Sequence, residues 1–113
     1  ILKEIKQKVK LPLVLHGASS VPRTLVVKAE KYGAELGEAH GVRESELRRA
    51  VKGGINNINT DTDLRLCFDA SVREIIKKKP KEFDPRHILG PARKEITKLI
   101  RGKMRLFGSR GKV

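Results

Sequence analysis

An α/β fold of parallel strands covered by helices is what this 113-residue sequence predicts. Three observations predict it. Two stretches share one layout, an apolar run, then small polar residues, then a helical pattern: Leu11-Pro12-Leu13-Val14-Leu15-His16-Gly17-Ala18-Ser19-Ser20-Val21-Pro22 and Ile55-Asn56-Asn57-Ile58-Asn59-Thr60-Asp61-Thr62-Asp63-Leu64-Arg65. Both runs are too apolar to face water, and a crossover helix separates them, so parallel pairing under helices follows. Each run also ends in Gly, Ser, Thr or Asp just before a helix, which leaves amides and hydroxyls at a point of positive dipole. Two such phosphate cradles imply one bisphosphate-handling site. In barrels of alternating strands and helices, phosphates often sit at the loops after the last two strands. A barrel closes with eight strands and this chain shows two. The expectation is therefore the C-terminal portion of a (β/α)8 TIM barrel, with residues 1–113 part of a single domain and not independent.

Taken in order, residues 1–9 read as the last turns of a helix, entered at Ile1 without an initiator Met, so residues upstream are expected. Residues 11–15 form the first strand and His16 to Val21 a loop. Pro22 suits the first turn of a helix through Val26, Val27, Ala29, Glu30 and Lys31, because its missing N–H costs nothing there. Gly33, Gly37 and Gly41 break the pattern before a short helix from Glu44 to Lys52, which Gly53-Gly54 ends. The second strand follows, then a helix from Thr62 to Lys78 that Asp61 or Thr60 can cap, with Asp63 stabilising its start. A Pro-punctuated loop spans Lys79 to Arg86. A last helix from Pro91 to Met104 presents Ala92, Ile96, Leu99 and Ile100 on one side. The tail from Phe107 to Gly111 is loop-like.

The chain carries 26 Lys and Arg against 13 Asp and Glu, a net charge of +13. Such a charge suits polyanions electrostatically. Against nucleic acid stand the 4% aromatic content and the lack of a zinc-finger, base-stacking or helix-turn-helix pattern. The densest run, Lys77-Lys78-Lys79-Pro80-Lys81, sits at a helix end where cations complement the dipole. One cysteine excludes an internal disulfide framework and no long apolar run is present, which fits a reducing, cytoplasmic setting without membrane or nucleic-acid partners. Cys67 falls with Leu64, Phe68, Val72, Ile75 and Ile76 on an apolar helix side, where packing is its expected role.

Four ordered motifs make the reading specific. His16-Gly17-Ala18-Ser19-Ser20-Val21-Pro22, Asn59-Thr60-Asp61-Thr62-Asp63-Leu64-Arg65, Glu82-Phe83-Asp84-Pro85-Arg86 and Phe107-Gly108-Ser109-Arg110-Gly111-Lys112 resemble, in that order, the C-terminal part of class II fructose-1,6-bisphosphate aldolases. The resemblance covers nearly the whole chain. It implies a lyase of glycolysis and gluconeogenesis: reversible, Zn2+-dependent aldol cleavage of fructose 1,6-bisphosphate to dihydroxyacetone phosphate and glyceraldehyde 3-phosphate. A tagatose-bisphosphate aldolase, differing at one hydroxyl stereocentre, is the alternative within the class, and a basic nucleic-acid-binding module is the alternative outside it.

Residue by residue, the resemblance makes His16 one of three zinc-binding histidines. From spacing alone a solitary histidine is more often structural. The other two ligands and the acid/base aspartate are expected upstream, outside this segment, and His40 and His87 are not expected to replace them. Gly17 and Ser19 resemble the residues that hold the phosphate of dihydroxyacetone phosphate, by close backbone approach and by a hydroxyl. The family more often has Gly at the positions of Ala18 and Ser20, a departure that argues against positive backbone angles there. Asn59 resembles the asparagine that contacts the enediolate, since an amide can hydrogen-bond a developing oxyanion without titrating. Asp61 and Thr62 resemble residues lining the same phosphate. Arg65 and Arg86 resemble the arginines that grip the distal phosphate, for which a planar, permanently charged fork is suited. Asp84 orients that contact, and the Asp84-Arg86 segment is often donated by a neighbouring subunit, so a homo-oligomer is implied. A monovalent cation beside the phosphate is left open.

Overall fold

In the computed structural model, which describes residues 1–112, seven elements follow one another. They are α1 (Leu2–Lys8), β1 (Val14–Leu15), α2 (Arg23–Lys31), α3 (Glu44–Lys52), β2 (Asn57–Ile58), α4 (Thr62–Lys78) and α5 (Pro85–Phe107). The two strands pair in parallel, with Val14 opposite Asn57 and Leu15 opposite Ile58. The mixed α/β organisation expected from the repeated layout is present.

The strands are shorter than the apolar runs that announced them. Pro12 has no N–H to give a ladder, and the Leu13 amide donates to the Asn56 side-chain oxygen at 3.0 Å instead of to backbone. Leu13 does accept from the Asn56 and Asn57 amides, and Leu15 from Asn59, which fixes the register. Nor are the strands buried as expected: Val14 is 47% exposed and Leu11 71%. The radius of gyration, 17.0 Å, exceeds the roughly 13 Å of a compact domain of this length. The chain packs as a slab, 58 × 34 × 18 Å.

Two small cores hold it. Val26 and Ala29 of α2 meet Leu66 and Ala70 of α4, closed by Ala34. Ala18, Leu47 and Leu106 form the second core beneath the strand pair, with Leu15, Val42, Ile58 and Phe107 against it. Cys67 is buried on α4, as expected, and burial pushes its thiol up. Among the described residues, no helix is long and apolar enough to cross a membrane.

Three helix starts differ from expectation. Pro22 precedes α2 at the cap position and does not form part of its first turn. Asp61 occupies the cap position of α4, but its carboxylate makes no cap hydrogen bond because it turns to Arg65. The last helix begins at Pro85, six residues before Pro91. Asp84 caps it by accepting from the Arg86 amide at 2.8 Å, and Pro85 takes the first helical position, so the signal stronger than Pro91 lay upstream. Pro91 stands inside the helix, where it forgoes one backbone bond.

Candidate active site

The carboxyl ends of β1 and β2 are adjacent because the strands are parallel, and the loops that leave them carry most of the predicted residues. His16, Gly17 and Ser19 from one loop face Asn59, Asp61 and Thr62 from the other across one open cavity, floored by Ile58. Asn59 Nδ2 lies 3.2 Å from His16 Nδ1. The Asp61 amide donates to the Ser19 hydroxyl at 3.2 Å, which ties the loops together a second time. Thr62, the first residue of α4, lines this cavity, which therefore lies at the positive end of the helix dipole, an end that favours an anion.

The first loop is bent by backbone angles at its two ends. Gly17 takes φ +63° with open space where a Cβ would be, while Val21 takes φ +44°. Ala18 and Ser20 adopt no positive φ. Ala18 is fully buried with its methyl among Leu47 and Leu106, so the two departures from the family's glycines leave the bend intact. A β-branched residue at positive φ is strained by about 1–3 kcal/mol and persists only where its surroundings over-determine it.

Those surroundings include Asp63, which the sequence pattern assigns to the helix start alone. It is fully buried, accepts from the Ser20 amide at 3.0 Å and the Val21 amide at 2.6 Å, and pairs with Lys103 of α5. Lys103 also donates to the Ser20 hydroxyl at 2.7 Å. Burial pushes the Asp63 carboxyl up, but the hydrogen bond from Lys103, the Ser20 and Val21 amides and the Lys103 charge bring it below the usual carboxylate range. A signal was present in the sequence: Lys103 and Asp63 sit on the stripes of α5 and α4 otherwise occupied by Ala92 and Leu106, and by Leu66, Cys67 and Ala70. Opposite charges at two core positions invite a pair.

The segment between α2 and α3 presses on the loop from the other side. The Val42 amide donates to Ser19 O at 2.9 Å, and a Cβ on Gly41 would lie 2.5–2.6 Å from backbone atoms of Ser19 and Ser20. Backbone cannot yield as a side-chain tip can. We expect Gly41→Ala to destabilise the fold by about 1–3 kcal/mol, measured by urea denaturation.

Two predicted residues stand apart. Arg65, one turn into α4, lies outside the cavity walls and pairs with Asp61 at 2.8 Å. Arg86 lies at the start of α5, 87% exposed, its guanidinium forked onto Asp84 with contacts of 2.7–3.2 Å. That guanidinium holds the Asp84 carboxyl below its ordinary range. His40 and His87 are exposed and their rings pair with Glu38 and Glu82, while His40 also lines a second opening with Gly17, Ser19 and Thr62. Among the described residues, no three of His, Cys, Asp and Glu come together as a metal cluster. His16 is a lone imidazole donor, and it fits a metal as one ligand of a larger set.

Residues 1–112 match the family model described as fructose-bisphosphate aldolase class-II. The chain is similar to a fructose-bisphosphate aldolase of Thermus caldophilus, 51% identical over 111 residues that make up 98% of this chain and 36% of that protein. A fructose-bisphosphate aldolase of Treponema pallidum is 44% identical over 114 residues, 99% of this chain and 34% of the relative. One of Giardia intestinalis is 37% identical over 110 residues, 97% and 34%. The chain thus spans about a third of the length of the curated relatives it matches.

Proposed function

The chain belongs to the class II fructose-bisphosphate aldolase family, and from that premise we propose that it is the C-terminal part of a (β/α)8 enzyme that cleaves fructose 1,6-bisphosphate. The products are dihydroxyacetone phosphate and glyceraldehyde 3-phosphate, and the reaction is reversible. The observation that carries this reading is the convergence of His16, Gly17, Ser19, Asn59, Asp61 and Thr62 around one cavity at the carboxyl ends of a parallel pair.

His16 would hold Zn2+ together with ligands from elsewhere in the polypeptide; when bound, the ion supplies a Lewis acid that polarises the substrate carbonyl. The Asn59 amide hydrogen-bonds the oxygen on which charge develops, and it does so without titrating at any working pH. Its 3.2 Å contact also orients the imidazole. Gly17 and Ser19 from one loop and Asp61 and Thr62 from the other bind the phosphate of the dihydroxyacetone moiety, aided by the amides at the start of α4. Arg65 and Arg86 bind the distal phosphate. Arg86 lies outside its own chain's cavity, which supports donation of the Asp84-Arg86 segment to a neighbouring subunit in a homo-oligomer.

Arg86→Ala separates binding from folding, because its guanidinium is exposed and its pair with Asp84 is screened by solvent. The expected result is an unchanged melting temperature with KM for the bisphosphate raised about tenfold or more. The function itself is tested by assaying bisphosphate cleavage by the complete polypeptide that carries this chain, with EDTA and with zinc returned. Activity that EDTA abolishes and zinc restores supports the reading; no cleavage of fructose or tagatose bisphosphate would sink it.

A further inference from the structure

Lys103 and Asp63 are the two described ionic side chains driven into the core, and neither reaches the cavity that the proposed chemistry uses. What they hold is the backbone behind it. Asp63 occupies the Ser20 and Val21 amides, Lys103 the Ser20 hydroxyl and the Asp63 carboxylate, and no buried side-chain nitrogen or oxygen among the described residues lacks a partner. These contacts fall on the residue with strained φ, Val21, and on the residue next to Ser19. Ser19 is the group the loop delivers toward the Asp61 amide at 3.2 Å.

We infer that Lys103 and Asp63 are positioning residues, a strut from α5 through α4 that keeps the loop of Gly17 and Ser19 bent for phosphate while touching no substrate themselves. The inference rests on the phosphate role proposed above for that loop. The physical logic is that of any strained loop. Without the strut, relaxation of Val21 toward a negative φ becomes favourable, and the Ser19 hydroxyl and Gly17 amide lose their common aim. His16 precedes the bend and is anchored by the strand pair through Leu15, so the metal ligand should stay in place while the phosphate site loosens. A general folding role would not separate the two.

The test is Lys103→Met in the complete polypeptide, with Lys103→Arg as conservative rescue and Ser20→Ala as a milder variant that keeps the Asp63–Lys103 pair. Zinc content, KM and kcat for the bisphosphate, and the shift in melting temperature produced by inorganic phosphate are read on each. The expected result is zinc content unchanged, kcat within about threefold, KM raised tenfold or more and the phosphate-induced shift largely lost, with Lys103→Arg restoring most of both. KM and phosphate shift unchanged in Lys103→Met would overturn the strut. So would a parallel fall in zinc content, kcat and phosphate binding, and should Lys103→Met not fold, the same readings on Lys103→Gln, which keeps a donor toward the Ser20 hydroxyl but removes the charge that pairs with Asp63, decide, with KM and phosphate shift unchanged counting against it. A wild-type protein that is stabilised by phosphate yet cleaves no bisphosphate would refute the aldolase reading and leave the strut measurable by the phosphate shift alone.

Discussion

Replacing Asp63 by Asn is expected to cost the folded state about 3–5 kcal/mol, the largest stability effect among the substitutions considered. The magnitude follows from what is left behind. Lys103 is 9% exposed, and without a carboxylate it remains a buried cation facing one hydroxyl and one amide. The substituted side chain can keep one of the backbone contacts through its oxygen, but its amide nitrogen meets either the Ser20 or the Val21 N–H, donor against donor. Equilibrium denaturation in urea checks the figure, since a lower midpoint at constant slope reports stability alone.

The same group sets a pH dependence whose sign can be worked out. The folded carboxyl lies below its ordinary value while an unfolded Asp titrates near about 3.9, so the unfolded chain takes up the proton first as pH falls. The stabilisation is fully present above about pH 4 and is lost as pH drops through the folded value. Wild-type protein should therefore lose midpoint steeply on acidification below about pH 4, and Asp63→Asn should lose less. Equal acid slopes in the two proteins would remove Asp63 as the cause.

How much of this was legible in the sequence depends on the range over which each signal acts. The helix from Thr62 to Lys78 was, because its apolar period and the Pro80 that stops it are local and strong signals. So was the pairing of the two strands, because both end in similar small, polar segments and only parallel strands put two such ends together. That the loops carrying His16, Ser19, Asn59 and Thr62 would lie side by side was legible for the same reason, whereas the roles of His16 and Asn59 came from the family resemblance and not from their spacing. The early start of the last helix was readable but masked: Asp84-Pro85 is a cap followed by a first-turn proline, and Pro91 draws attention away from it. Strand exposure could not be read at all, since apolar composition records what a residue is suited to meet and not what it meets in this chain.

Asp63 escaped for a different reason. An acidic residue in the first turn of a helix has a sufficient local explanation in the dipole, and nothing nearby asks for another. Its real partners are remote along the chain, Lys103 far ahead and Val21 and Ser20 42 and 43 residues behind, separations at which pattern carries no information. Only the stripe positions of the two charges hinted at the pair. The Gly41 contact with Ser19 and Ser20 escaped likewise, as a third glycine in a loop whose sequence does no more than break a helix.

His16→Ala is the prediction with the largest expected effect on activity, a fall of at least about 10³-fold in kcat/KM with loss of bound zinc. The argument is one of separability. The His16 side chain is exposed and its one described partner is Asn59 at 3.2 Å, so its removal should leave the metal-free melting temperature within a few degrees of wild type. Asn59→Ala provides the contrast, because it removes the orienting amide and the oxyanion contact while leaving the imidazole: activity should drop sharply with zinc retained more fully than in His16→Ala. Zinc analysis on dialysed protein, taken with the kinetics, distinguishes the two substitutions. If His16→Ala kept its zinc and its activity, the histidine would be a structural residue at a strand end, which is what spacing alone favoured, and the metal would have to be held entirely by groups outside this chain.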